Sequence, residues 1–243
     1  MRELSEQRAP AVELLPQGFQ VDDSFTEADV KKILRNKGWY LIVKRCFDIF
    51  NSLWQIIFFS PFLLLSAIAI KLYDRGPVFF TQERITGGIK GPRTFNIIKL
   101  RTMVLNAEKL GMKITGKADP RITPVGRILR NVKLDEVPQL FNILRGEMSF
   151  VGPRPQTLGY VARFKEHYEL IHSVVPAGLT DLASINFRHE EELLDAADDP
   201  ERIYNEELMP LKIRYHQDYV RRLSFGLDVM ILSKTLIQVF IKR

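Results

Sequence analysis

The sequence has 243 residues, 46% of them hydrophobic, which is enough chain for one good-sized domain together with a membrane element. The formal net charge is +6. A basic chain with a bilayer-length apolar run points to anionic lipid headgroups or phosphorylated substrates rather than to nucleic acid. Cys46 is the only cysteine, which excludes an intrachain disulfide and a zinc site built from cysteines.

The N-terminal region is predicted to be a loose tail followed by a short helix. Residues 1–23 contain prolines and a glycine without a clear period, and they do not resemble a cleavable signal peptide. Ser24 to Glu27 fits a capping box, and the sequence from Asn36 to Gly38 fits a helix stop. We therefore assign residues 1–39 to this tail and helix.

Residues 40–72 are predicted to be the membrane element. The run from Phe47 to Ile70 is long enough to cross a bilayer, which takes about 20 apolar residues. Pro61 lacks an N–H and should kink the helix, while the Ser60 hydroxyl can bond a carbonyl that the proline leaves free. Basic residues flank the run on both sides, so a span would place one basic flank outside the cell. A single span stays open, but we favour a re-entrant helix that breaks at Ser60 and Pro61.

The rest of the chain predicts an α-rich α+β fold. Residues 76–103 alternate apolar and polar side chains around a glycine-rich turn, which predicts a small β-hairpin. Residues 104–147 predict broken helices, and the sequence "GEMSFVGPRP" after them predicts a rigid extended segment. The chain from residue 209 onwards predicts two helices.

The stretch "RNVKLDEVPQLFNILRGEMSFVGPRP" contains the chemically informative residues. Pro138 fits only the first turn of a helix, which places Asp135 at or near the N-cap and Glu136 just after it. The positive end of the helix dipole should keep a carboxylate ionised and attract phosphate. Adjacent carboxylates also suit Mg²⁺, with Asp135 as a ligand. The alternative is structural, because Asp is a favoured N-cap and Glu is common in a first turn.

Four basic residues are candidate ligands for substrate phosphates. Arg130 lies five residues before Asp135, and Arg154 stands between two prolines that restrict its backbone. Lys99 and Arg101 belong to a basic region around the predicted strands. Cations and carboxylates beside a membrane segment favour phosphoryl transfer, in which positioning and charge neutralisation dominate the catalysis.

From Lys44 to Ile241 the chain resembles the bacterial sugar transferases, the monotopic phosphoglycosyl transferases. The motifs, in order, are "KRCFDIF", Ser60-Pro61, "GPVFFTQERIT", "FNIIKLRTM", "DPRITPVGRILR", "LDEVPQLFNILRGEMSFVGPRP" and "LDVMILSKTL". The resemblance implies transfer of a phosphosugar from a UDP-sugar to polyprenyl (undecaprenyl) phosphate, with release of UMP. It also implies Mg²⁺ and a covalent phosphosugar intermediate on Asp135, with Glu136 completing the dyad and Arg130 and Arg154 near phosphate.

The resemblance also implies a place in the cell. It predicts a monotopic protein on the cytoplasmic face of the bacterial inner membrane, held by membrane lipid, with residues 73–243 as a compact catalytic domain with interfacial amphipathic helices. The reaction would be the first membrane step in making a lipopolysaccharide, an exopolysaccharide or another glycan. A homodimer is one assembly that the resemblance allows, and nucleic acid is not an expected partner.

One stretch departs from the family pattern. Many members have a "PGITGWAQV"-like sequence, whereas residues 176–194 read "PAGLTDLASINFRHEEELL", with Asp181 and Leu182 in place of Gly and Trp. If this stretch helps to read the sugar or the nucleotide, the identity of the sugar cannot be taken from relatives. His189 suggests a metal site only weakly, and an exposed histidine is the better interpretation. Two other functions stay open: a membrane-anchored scaffold without catalysis, and a hydrolase of nucleotide sugars.

Overall fold

The computed structural model describes residues 21–88, 90–107, 119–187, 190–195 and 197–240. The described chain is rich in helix, with one long apolar helix near its N-terminus and two small sheets. The strands are β1 (Phe79–Thr86), β2 (Arg93–Leu100), β3 (Met148–Val151) and β4 (Ala177–Thr180). The α-helices are α1 (Glu27–Asp74), α2 (Pro124–Asn131), α3 (Gln139–Arg145), α4 (Leu158–Val161), α5 (Lys165–His172), α6 (Leu182–Asn186), α7 (Glu190–Asp195), α8 (Pro200–Ile203), α9 (Met209–Arg221) and α10 (Phe225–Phe240).

Helix α1 begins later than expected and is far longer. Its N-cap is Thr26, whose backbone N–H donates to Asp29 Oδ2 at 3.0 Å, so the predicted box from Ser24 to Glu27 is displaced along the chain. The predicted stop at Gly38 is wrong, because the helix continues to Asp74. A helical glycine costs about 1 kcal/mol, and burial of Tyr40 in the next turn, among other apolar side chains, outweighs that cost. The predicted boundaries at residues 39/40 and 72/73 both fall inside α1.

The helical structure of α1 continues through Ser60 and Pro61, so the chain does not leave the helix there as a helix–break–helix would require. Pro61 cannot donate to the carbonyl of Ile57, four residues earlier. The Ser60 hydroxyl donates to that carbonyl at 2.8 Å, as the sequence predicted. If the chain re-enters the membrane at this point, it does so through a bend in a continuous helix. The carbonyl of Ile57, which Pro61 leaves without its usual donor, is already hydrogen-bonded to Ser60.

The middle of α1 presents an apolar surface to its surroundings. Among the residues that the structure describes, α1 is the one helix whose length and composition would allow it to cross a membrane. Its large exposed apolar side chains are Trp39, Ile42, Phe47, Ile49, Phe50, Leu53, Trp54, Ile57, Phe58, Phe62, Leu64, Leu65, Ile68, Leu72 and Tyr73. Such a surface is far larger than the apolar patches of ordinary water-soluble monomers, so α1 fits a membrane anchor.

Both ends of the apolar run of α1 are bound to the same domain. Near the start of the apolar run, Arg45 donates to the carbonyl of Ile143 at 2.5 Å, which satisfies the C-terminal end of α3. At the far end, the Asp74 carboxylate receives two hydrogen bonds of 2.5 Å from the Arg101 guanidinium. Ile70, one turn earlier, packs with Leu100 and other apolar side chains.

The first sheet is the predicted hairpin. Strands β1 and β2 are antiparallel, with Phe79 opposite Leu100 at one end and Thr86 opposite Arg93 at the other. The connection contains Gly88 at φ +101°, in the left-handed region that glycine occupies without strain. The alternating pattern and the glycine-rich turn of the sequence thus gave the correct element and the correct position.

The second sheet was not expected. Strands β3 and β4 are parallel, with Met148 beside Ala177 and Val151 beside Thr180. Each has four residues, and α4 and α5 lie between them in the chain. The two backbones approach so closely beyond β3 that a Cβ on Gly178 would lie 2.1 Å from a carbonyl oxygen of the facing segment. Only glycine fits at this position.

The two predicted C-terminal helices are confirmed as α9 and α10. They pack with α5 and the second sheet around a core that includes Tyr168, Ile213 and Tyr219, all almost fully buried. Asp228 at the start of α10 accepts hydrogen bonds from Lys44 of α1 at 2.8 Å and from the Tyr219 hydroxyl at 2.9 Å. These contacts fix the N-terminal half of α1 on the domain that contains the candidate site.

Candidate active site

Asp135 lies in a short 3₁₀ turn, Leu134–Glu136, between α2 and α3. The prediction that it caps α3 is wrong, because that helix begins four residues later with Pro138 at its N-cap. Lys133 enters the turn in the left-handed conformation, at φ +58°, which turns the chain sharply after α2. The carboxylate is therefore presented by a tight turn rather than by the first turn of a regular helix.

The Asp135 carboxylate is buried and incompletely bonded. Only 8% of the residue is exposed, and its Oδ1 atom has no hydrogen-bond partner. Burial, followed by the neighbouring charge of Glu136, raises the pKa of Asp135, and Lys99 and Arg130 offset this only in part. The expected lowering of the pKa by a helix dipole is therefore not observed. A buried oxygen without a protein partner is costly unless water, a ligand or a reaction engages it.

Glu136 holds two cations beside Asp135. Its Oε1 atom accepts from Lys99 Nζ at 2.9 Å and from Arg154 Nη2 at 2.7 Å. Burial alone would raise the pKa of Glu136, but Arg154 and Lys99 together hold it well below its usual range. Glu136 thus stays ionised and orients the two cations toward the same region of space.

Arg154 extends from the rigid segment that follows β3. Its guanidinium also donates to the carbonyl of Leu179 at 3.3 Å, and 40% of its side chain remains exposed. The charge of Glu136 raises the pKa of Arg154 further above its ordinary value. The guanidinium is thus fixed at one side and open at the other, which suits recognition of a phosphate.

Two other predicted phosphate ligands have different surroundings. Arg130 on α2 donates from Nε to the Thr102 hydroxyl at 2.9 Å, and its charge acts on Asp135. Arg101 is buried and bonded to Asp74 and to the carbonyl of Pro77, so its guanidinium is occupied in fastening α1. The structure therefore brings Asp135 together with Glu136, Lys99, Arg154 and Arg130, and we leave Arg101 out of the site.

The site fits a divalent cation only in part. In the described chain, no group of three or more His, Cys, Asp or Glu side chains could hold a metal ion. The free Oδ1 of Asp135 could still supply one ligand, while Glu136 is already bonded to two cations. Mg²⁺ commonly takes one or two carboxylates and completes its shell with water and substrate phosphate, so Asp135 suits that role. His189 lies outside the described residues.

Three buried or half-buried residues behind the site were missed from the sequence. Asp181 accepts from the Arg154 backbone N–H at 2.8 Å and pairs with His216 at 2.7 Å. Arg84 of β1 donates to the Pro155 carbonyl at 3.2 Å, and burial, followed by Arg154, lowers the pKa of Arg84 to about 10. The one signal that could have indicated Asp181 is its position in the stretch that departs from the family pattern.

Comparisons with known proteins identify the family of the chain. The family model described as "Bacterial sugar transferase" matches residues 39–242. A UDP-N-acetylgalactosamine-undecaprenyl-phosphate N-acetylgalactosaminephosphotransferase of Aeromonas hydrophila is 35% identical over 199 residues, covering 81% of this chain and 43% of the relative. A UDP-glucose:undecaprenyl-phosphate glucose-1-phosphate transferase of Klebsiella pneumoniae is 36% identical over 210 residues, covering 85% of this chain and 42% of the relative.

A Caulobacter vibrioides protein, also named UDP-glucose:undecaprenyl-phosphate glucose-1-phosphate transferase, is 39% identical over 197 residues. That alignment covers 79% of this chain and 67% of the relative. The chain spans about two fifths of the length of the Aeromonas and Klebsiella relatives. Because the family model matches most of the sequence, the chain belongs to the bacterial sugar transferase family.

Proposed function

We propose that this chain transfers a phosphosugar from a UDP-sugar to polyprenyl phosphate and releases UMP. Family membership and the names of the relatives support this reaction class. Those names differ in their sugar, which is N-acetylgalactosamine in one and glucose in another, so the sugar of this chain is left open. The observation that carries the proposal is the buried, unpartnered Oδ1 of Asp135 beside cations that Glu136 organises.

In the first step, Asp135 is the nucleophile. A carboxylate oxygen attacks the phosphorus that bears the sugar, the bond from that phosphorus to the bridging oxygen breaks, and UMP leaves with the electron pair. An acyl phosphate that carries the sugar then remains on Asp135. The free Oδ1 supports this role, because none of its lone pairs is engaged in a hydrogen bond within the protein.

The cations of the site reduce the repulsion between the carboxylate and the diphosphate. Lys99, Arg130 and Arg154 outnumber the two carboxylates, which leaves net positive charge for the substrate. Arg154 presents a planar fork that matches two phosphate oxygens. A bound Mg²⁺, with Asp135 and substrate oxygens as its ligands, would add charge neutralisation for the leaving group. Glu136 keeps Lys99 and Arg154 in place throughout.

In the second step, an oxygen of polyprenyl phosphate attacks the same phosphorus. The bond to Asp135 breaks, the carboxylate is regenerated, and a polyprenyl diphosphate sugar forms. The two substrates need not occupy the site together, which suits one donor from water and one acceptor from the bilayer. Two sequential displacements of this kind predict ping-pong kinetics.

The contacts of α1 support a monotopic arrangement in the bacterial inner membrane. The start of its apolar run is bound to α3 through Arg45, and its end is bound to the domain through Asp74 and Arg101. If both ends contact one cytoplasmic domain, both lie on the cytoplasmic face, and the apolar middle dips into the lipid at Ser60 and Pro61. Exposed apolar side chains in that middle part would meet lipid, which also supplies the acceptor.

The test is a UMP-release assay on the purified chain in detergent. UDP-sugars are screened with and without polyprenyl phosphate, beside an Asp135→Asn variant. We expect sustained UMP release that needs the lipid and falls to near background in the variant. An Asp198→Asn control, which removes an exposed charge far along the chain, should leave turnover unchanged. Sustained release without lipid would favour a hydrolase, and the absence of release with every sugar would favour a scaffold.

A further inference from the structure

We propose that Asp181, oriented by His216, is a positioning residue for Arg154. This inference rests on the proposed function, in which Arg154 binds the diphosphate of the donor. Asp181 is 1% exposed and lies in the residues that depart from the family pattern, immediately after β4. It does not face the site itself, so its effect on the reaction passes through Arg154.

The two oxygens of Asp181 have separate tasks. Oδ1 accepts from the backbone N–H of Ser184 and so caps α6. Oδ2 accepts from the backbone N–H of Arg154 at 2.8 Å and from His216 Nε2 at 2.7 Å. A cap needs only the first oxygen. The second oxygen, with a buried histidine from α9 directed at it, therefore serves a purpose other than capping.

The backbone of residues 153–155 has one N–H group, that of Arg154, and Asp181 accepts its hydrogen bond. Pro153 and Pro155 have no N–H, so Arg154 carries the single backbone donor of this three-residue segment. Asp181 takes that donor. Just before the segment, the N–H of Gly152 donates to Thr180 at 3.0 Å, so the backbone is held as a continuation of the parallel sheet.

The hydrogen bond from the Arg154 backbone to Asp181 holds the Cα atom from which the Arg154 side chain extends. With its Cα held, the guanidinium reaches Glu136 at 2.7 Å and keeps its open side toward the candidate site. If Asp181 no longer accepts from the backbone of Arg154, the long side chain starts from a variable position. A displacement of about 1 Å at a positioning group can lower a rate by about 100-fold. His216 acts one step further back, by restricting the orientation of the Asp181 carboxylate.

The experiment is a double-mutant cycle with Asp181→Asn and Arg154→Ala in the purified full chain. Asn caps helices as well as Asp, but an amide cannot accept at both of its ends. We expect Asp181→Asn to lower kcat/KM for UMP release about tenfold, the worth of one hydrogen bond to a charged group. In the Arg154→Ala background it should have almost no further effect, because the two changes act through one group.

A matched control distinguishes positioning from a general loss of structure. Asp48 is 2% exposed and likewise accepts a backbone N–H, that of Phe150 on β3. Asp48→Asn should lower kcat/KM by the same factor with and without Arg154→Ala. If the Asp181→Asn variant does not fold, His216→Ala replaces it in the double-mutant cycle with Arg154→Ala. His216→Gln should restore most of the activity, because its amide can still donate to Asp181.

A second readout keeps the inference separate from the proposed function. Affinity for UDP is measured by calorimetry in the wild type, the two single variants of the cycle and the double variant. Asp181→Asn should lower this affinity only when Arg154 is present. If the wild-type chain releases no UMP but this coupling holds, the proposed function fails and the positioning role stands. If Asp181→Asn has the same effect on UDP binding and kcat/KM in both backgrounds, or none in either, the positioning role is refuted.

Discussion

The Asp74–Arg101 pair makes a specific prediction about how α1 is fastened. Asp74→Asn removes the charge that receives two hydrogen bonds of 2.5 Å from a buried guanidinium. Leaving one partner of a fully buried ion pair alone costs about 3–5 kcal/mol. The Asp74 side chain is 22% exposed, so water reduces the loss to about 2–3 kcal/mol of the free energy of unfolding. For a chain of this size, the melting temperature should fall by roughly 4–12 °C.

The assay is thermal unfolding of the purified chain in detergent as a function of pH. Hydrogen bonds from Arg101 lower the pKa of Asp74 from 3.8 to about 2. A lowered carboxylate pKa stabilises the fold above the unfolded value, and this stabilisation is lost as the pH falls toward the folded value. The difference between wild type and Asp74→Asn should therefore be constant above about pH 5 and shrink below about pH 4. Asp198→Asn, at an exposed carboxylate, is the control.

Two results would refute this reasoning about α1. Equal melting temperatures of wild type and Asp74→Asn at neutral pH would show that the pair does not fasten the helix. A difference that grows as the pH falls toward 3 would show that the carboxylate is not stabilised by its ion pair. Restoration of stability in a chain with Asp74→Arg and Arg101→Asp together would support the pairing directly.

Three further predictions concern the site, the second sheet and the membrane. Glu136→Gln should lower kcat/KM for UMP release about 100-fold, since the amide oxygen would accept from Lys99 and Arg154 without the negative charge that strengthens both hydrogen bonds; an unchanged value would remove Glu136 from the site. Gly178→Ala should lower stability by about 3 kcal/mol because its Cβ would strike backbone, whereas Gly159→Ala, in helix α4 with open space around it, should raise stability by up to about 1 kcal/mol, both measured by thermal unfolding. In a cysteine-free background, Arg35→Cys and Lys90→Cys should both resist a membrane-impermeant label in intact cells, and labelling of either would exclude the monotopic arrangement.

Local sequence patterns were sufficient for elements whose partners lie nearby in the chain. The β1–β2 hairpin followed from alternation around a glycine-rich turn, and it has the predicted position. The role of Ser60 followed from the known effect of proline on the helix hydrogen bond four residues back. The prolines on both sides of Arg154 predicted a restricted backbone there, and the structure places its side chain against Glu136.

Features that depend on distant partners could not be predicted in this way. The apparent stop at Gly38 is overridden because the helix buries Tyr40 against the domain, and no local signal reports that contact. The β3–β4 pairing joins segments separated by two helices. Asp135 has a raised rather than a lowered pKa because it is buried beside Glu136 and does not lie in the first turn of α3. Arg101 was predicted as a phosphate ligand from its basic surroundings in the sequence, and its ion pair with the distant Asp74 has no local sequence signal.

The role of Asp135 as nucleophile is tested most directly by mixing the enzyme with its UDP-sugar in the absence of lipid and measuring UMP release and intact protein mass together. The expected result is release of up to one equivalent of UMP. The protein should gain the mass of one phosphosugar, which fragmentation maps to Asp135. Addition of polyprenyl phosphate should remove that mass, and Asp135→Asn should show neither effect. Initial rates that require a ternary complex, with no adduct on the wild-type protein, would contradict the covalent mechanism and leave Asp135 as a base or metal ligand.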